Sequence, residues 1–227
     1  MSVILNKQYT PAISDIDVRH KVLRNTYWLL ALAMLPAVAG AVLGVALHIP
    51  LPRGLLGFFL FLGVTYGFMF AIEKTKDSAV GILVLFGFTF FLGIWLTPLL
   101  TRTLGFSNGS TLIMLAFGGT ATILASMATI ATVSKRDFSM LGKWLSMGVI
   151  VVILAAVVGI VFQLPMLLMA LSAVCVLIFS AYILYDVQQI VTGGETNYIR
   201  AATMLFVDVY MVFSNLLALL GLGGSRD

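Results

Sequence analysis

Trp144-Leu-Ser-Met-Gly-Val-Ile-Val-Val-Ile-Leu-Ala-Ala-Val-Val-Gly-Ile-Val-Phe162 contains no charged residue, and only Gln163-Leu-Pro165 parts it from a second uncharged run, Met166 to Tyr185. Each run is as long as the ~20 apolar residues that cross the hydrocarbon core of a bilayer. Inside lipid a backbone must bond to itself, so both runs are predicted as helices, and a connection this short makes them antiparallel neighbours. Working outward in both directions, uncharged runs between charged or Pro/Gly breaks predict helices over 26–47, 54–72, 79–100, 110–133, 144–162, 166–191 and 201–221. The expected fold is therefore an all-α integral membrane protein, a bundle of seven transmembrane helices over 26–221. Residues 1–25 read as a cytoplasmic tail and 222–227 as a short C-terminal tail.

Composition agrees with this reading. Of 227 residues, 61% are hydrophobic and 10% charged, against about 25% charged in soluble domains; the mean hydropathy is +1.10. Seven spans leave no room for a soluble catalytic domain. The net charge of +4 does not point to nucleic acid, because the basic residues border the apolar runs instead of forming a patch. Lys7, Arg19, Lys21, Arg24, Lys74, Lys76, Lys135, Arg136, Lys143 and Arg200 fall on one side of the expected topology. Only Arg53, Arg102 and Arg226 fall on the other. The positive-inside rule places the N-terminus in the cytoplasm and, with seven spans, the C-terminus outside. The first 25 residues have no apolar segment followed by a small-residue cleavage site, so a removable signal peptide is not expected.

Several residue types have plain structural readings. Cys175, the one cysteine, lies in an apolar run and is expected to be a small packing residue. Gly40 and Gly44, and Gly63 and Gly67, are spaced for close helix approach, either within the bundle, the favoured reading, or at a dimer face. His20 and His48 lie outside the spans, so neither an intramembrane Ser-His protease nor a His-ligated zinc hydrolase is available. Every lysine also lies outside a span, and no phosphate-binding Gly-x4-Gly-Lys loop occurs. The chain reads as a non-enzyme without a resident cofactor.

Two carboxylates are out of place. Asp186, in Phe179-Ser-Ala-Tyr-Ile-Leu-Tyr-Asp186, and Asp208, in Met204-Leu-Phe-Val-Asp208, interrupt apolar helices. A carboxylate at mid-span costs about 3 kcal/mol and normally faces a cavity or a partner. Counted from the connection between the last two helices, both lie roughly 9–12 Å deep, so antiparallel neighbours would bring them face to face. Asn215, on the same face as Asp208, adds an amide oxygen, and Tyr182 is one turn from Asp186. Together they suggest a polar seam and a pH sensor without histidine, because two carboxylates in one low-dielectric seam cannot both ionise cheaply. Lys74 or Lys76 could latch one of them from the second helix. Calcium takes about 6–8 oxygen ligands, so Asp186 and Asp208 with one amide suit a weak transit site, with calcium as a transported ion, better than a tight store. The bland alternative is a pair of aspartates that only pack the bundle.

The stretch Ser180 to Asp186 with Gln188 and Ile190, followed by Asp208 and Asn215, resembles the signature of the Bax inhibitor family of transmembrane Bax-inhibitor-motif proteins. His20-Lys-Val-Leu-Arg-Asn-Thr-Tyr27, Gly193-Gly-Glu-Thr-Asn-Tyr-Ile-Arg-Ala201 and Ser225-Arg-Asp227 resemble its bacterial, YccA-like branch. The resemblance covers essentially the whole chain. It implies a seven-helix bundle with the last helix central, a bacterial inner-membrane location, and a partner in the FtsH membrane protease, which that branch modulates. In several members it also implies a pH-sensitive calcium leak governed by an acidic pair, which Asp186 and Asp208 match. The basic latch of the calcium-leak relatives has no unambiguous counterpart in Glu73-Lys74-Thr75-Lys76.

Overall fold

A computed structural model describes residues 10–134 and 136–221, with side chains from Val18 onward. Most of the expected N-terminal tail, Lys135, and the C-terminal tail 222–227 with Arg226 lie outside the described residues or side chains. Among the described residues, eight helices run in the order α1 Thr10–Ala46, α2 Gly54–Thr75, α3 Ala79–Trp95, α4 Thr97–Leu104, α5 Gly109–Val133, α6 Leu141–Val161, α7 Pro165–Thr192 and α8 Tyr198–Leu220. Six are long and apolar enough to cross a membrane, and α3 with α4 passes the same test only as a pair bent by 40°, a broken span or a re-entrant loop.

The bend is the main departure from the uninterrupted helix expected over 79–100. Pro98 has no N–H to continue the ladder, and the helix breaks two residues before it, at Leu96. The chain therefore restarts at Thr97, whose hydroxyl donates to the Ile94 carbonyl at 2.5 Å. At the other end, α1 begins at Thr10, so the basic segment with Arg19, Lys21 and Arg24 continues the first span as helix.

Lipid provides no hydrophobic drive between helices, so close packing must hold the bundle together. In α1 and α3 it does so through glycine. A β-carbon at Gly40 would collide with the Phe90 carbonyl oxygen, one at Gly93 with the Ala37 carbonyl oxygen, and one at Gly44 with the Thr97 hydroxyl. The first glycine pair is thus used inside the bundle. Gly63 and Gly67 are not: no atom lies within 4 Å of a β-carbon built at either, so the favoured within-bundle reading fails for α2.

The last helix is central, packing against α1, α2, α3, α4, α5 and α7. Its buried face includes Ala202, Leu205, Phe206, Val209 and Val212. Leu85, Phe88 and Leu92 of α3, with Leu29, Leu30 and Ala33 of α1, complete the core around it. Trp28, a turn beyond the basic segment of α1, and Trp144, near the start of α6, are exposed, as aromatic anchors at a membrane interface are.

Candidate functional site

The connection between α7 and α8 sets the register of the two acidic helices. Gly193 ends α7 in the left-handed conformation, φ 85°, which costs glycine little because it lacks a β-carbon. Asn197 then starts α8 as its N-cap, its side-chain oxygen accepting from the Ile199 and Arg200 N–H groups at 3.0 Å each. The helices return antiparallel and bring Asp186 and Asp208 together. Each aspartate is only 5% exposed, and the two carboxyl groups are close enough to interact with each other.

Around the pair the wall is apolar. Ile183, Val187 and Ile190 of α7 and Leu205, Val209 and Val212 of α8 are all buried in the same core. Asp186 Oδ1 and Asp208 Oδ2 have no hydrogen-bond partner in the structure. Two carboxyl groups this close in an apolar wall cannot both ionise cheaply. From outside the seam, the charges of Glu195 and Arg200, at the α7–α8 connection, act on Asp186.

The other residues singled out from sequence lie around the pair but are not bonded to it. The Asn215 amide donates to the Met211 carbonyl of its own helix at 2.8 Å. The Tyr182 hydroxyl reaches Ser146 of α6 at 3.4 Å. Lys76 is paired with Glu73 at 2.5 Å, and the Lys74 ammonium sits over the Phe70 ring, 5.0 Å from its centre. Neither lysine latches an aspartate here. Among the described residues, no group of three His, Cys, Asp or Glu side chains could hold a metal ion.

Two amides that sequence reasoning did not use as site residues close the end of the seam nearest the loops. Gln188, buried on α7, donates to the Arg136 carbonyl at 2.5 Å and accepts from the Phe138 N–H at 2.8 Å, fastening the α5–α6 connection. Asn197 donates to the Lys76 carbonyl at 3.0 Å and to Asp77 Oδ1 at 2.9 Å, fastening the α2–α3 connection. Arg200 adds Glu73 at 3.5 Å and Glu195 at 3.3 Å, exposed pairs of small individual value. The amide signal for Asn197 was available, since an Asn directly before an apolar run is a helix N-cap. Replacing Gln188 with alanine leaves two backbone groups of the loop unpaired, at about 1–3 kcal/mol each if they stay buried. Backbone hydrogen exchange at Phe138 is expected to rise at least tenfold, with the apolar core unchanged.

Residues 19–226 match the family described as inhibitor of apoptosis-promoting Bax1. The chain belongs to the Bax inhibitor family. Within it, the chain is 42% identical over 208 residues, 92% of each chain, to the modulator of FtsH protease YccA of Escherichia coli K12. The same identity and coverage relate it to a protein of Escherichia coli O6:H1 named inner membrane protein YccA. It is 38% identical over 220 residues, 97% of each chain, to an uncharacterised protein of Pseudomonas aeruginosa. This Bax inhibitor family member is a multi-pass membrane protein whose relatives are membrane proteins.

Proposed function

We propose that this chain is a bacterial inner-membrane regulator that binds the FtsH protease and modulates it, without catalysing a reaction itself. The observation that carries this reading is the 42% identity, over 92% of both chains, to a protein named as an FtsH modulator. The excess of Lys and Arg on the side of the α2–α3, α5–α6 and α7–α8 connections supports a cytoplasmic N-terminus and a periplasmic C-terminus. That puts the basic N-terminal segment on the side where it can serve as a contact for FtsH. Affinity-tagged chain drawn from native membranes in mild detergent is expected to bring FtsH with it, and a variant lacking residues 1–20 to lose most of it. Absence of FtsH from the wild-type pull-down would sink the reading.

The buried pair Asp186–Asp208 favours a second, compatible reading: a pH-sensitive leak for calcium or protons along the α7–α8 seam. The unpartnered oxygens of both carboxyl groups could take a passing cation. Calcium would then be cargo and not a cofactor. Asn215 and Tyr182, about two turns and one turn away, would line the route only after leaving their present partners.

A further inference from the structure

On the face of the bundle opposite the amide-fastened connections, α4, the start of α7 and the end of α8 enclose a cavity of about 210 Å³. Arg102 and Ser172 supply polar groups to it, and Leu168, Met169 and Leu219 an apolar wall. The volume is below the ~300–1,000 Å³ of pockets that enclose a drug-sized molecule, so it suits a headgroup whose remainder stays outside.

Three features define what fits. Arg102 is exposed and, among the described residues, has no carboxylate within ion-pair reach. Pro165, the first residue of α7, and Gly221, directly after α8, line the same space, so the cavity lies at the ends of these membrane-spanning helices. The apolar wall belongs to membrane-spanning helices, and Met166 beside Pro165 is 85% exposed on the outer surface, so the cavity borders lipid. A soluble anion would satisfy the cation and leave the apolar wall uncovered. A zwitterionic lipid would bring its own ammonium to the guanidinium.

We propose that this cavity is a binding site for an anionic phospholipid, with the phosphodiester on Arg102 and the glycerol with the first acyl carbons against Leu168, Met169 and Leu219. The planar guanidinium can take two phosphate oxygens at once. The site is independent of the aspartate pair and of FtsH.

The test is native mass spectrometry of the full chain in mild detergent, titrated separately with dioleoylphosphatidylglycerol, dioleoylphosphatidylcholine and inorganic phosphate. The wild-type chain is expected to bind phosphatidylglycerol at least about tenfold more tightly than phosphatidylcholine, the value of one charge-assisted contact, and phosphate alone negligibly. Arg102→Gln should abolish that preference. Leu168→Trp, which fills the cavity and keeps the charge, should weaken phosphatidylglycerol binding as well, with helical circular dichroism of both variants equal to wild type. The proposal is overturned if Arg102→Gln keeps the preference, if phosphatidylcholine binds as well as phosphatidylglycerol, or if inorganic phosphate binds as tightly as the lipid.

Discussion

Calcium release from proteoliposomes containing only the wild-type chain will change with pH between about 5 and 8, and Asp186→Asn or Asp208→Asn will flatten that profile. The pair sits in an apolar wall, so ionising both carboxyl groups places two like charges side by side in a low-dielectric seam. One titrating proton limits the steepness to about tenfold per pH unit. Either asparagine removes the second ionisable group, and with it the dependence. Asp137, in the α5–α6 connection, is the control. The Ser139 backbone N–H and hydroxyl hold its carboxyl below the ordinary range. A carboxylate so depressed loses its charge only as pH falls below its own folded value, outside the window tested, so Asp137→Asn should keep the wild-type slope. Unaltered profiles in both single mutants of the pair would leave the aspartates as packing residues.

The largest effect on stability is expected at the α1–α3 contact. Gly93→Leu drives a side chain into the Ala37 carbonyl, and backbone cannot turn aside as a flexible side chain can. Overpacking costs about 1–3 kcal/mol where side chains can adjust, and this site should lie at the upper end. Gly67→Leu, with open space around it, should leave stability within about 0.5 kcal/mol of wild type. Thermal unfolding in one detergent compares the two directly. Equal midpoints for Gly93→Leu and wild type would refute the glycine-mediated contact.

The contrast between these glycines shows what the sequence could and could not disclose. Spacing of four marks both pairs as able to admit a neighbour, but the neighbour's approach depends on the course of other helices, which no local pattern encodes. The partner glycine, Gly93, stands alone in an aromatic run and carries no spacing signal. The spans were legible because charge is excluded from lipid, a strong and local constraint. The break at Leu96 was written in the sequence as Pro98, yet hydropathy continues across it, and length alone read one helix. The aspartate pair was legible for the same reason as the spans: each carboxylate violates the local rule, and an antiparallel turn relates their depths. Asn215, Tyr182, Lys74 and Lys76 share face or depth with the pair, but each has a nearer partner within its own helix or on the next one. Gln188 and Asn197 reach loops distant in sequence, by 52 and 121 positions, and that reach follows from the fold and not from their neighbours.

The most direct test of FtsH modulation is the rate at which purified FtsH, co-reconstituted in liposomes with a membrane-protein substrate, degrades that substrate with and without this chain. The proposed function requires degradation to slow as the chain is added, saturating once FtsH is fully bound, with a bilayer-matched unrelated membrane protein having no effect. A degradation rate that is unchanged at saturating chain, or slowed equally by the unrelated protein, would contradict it.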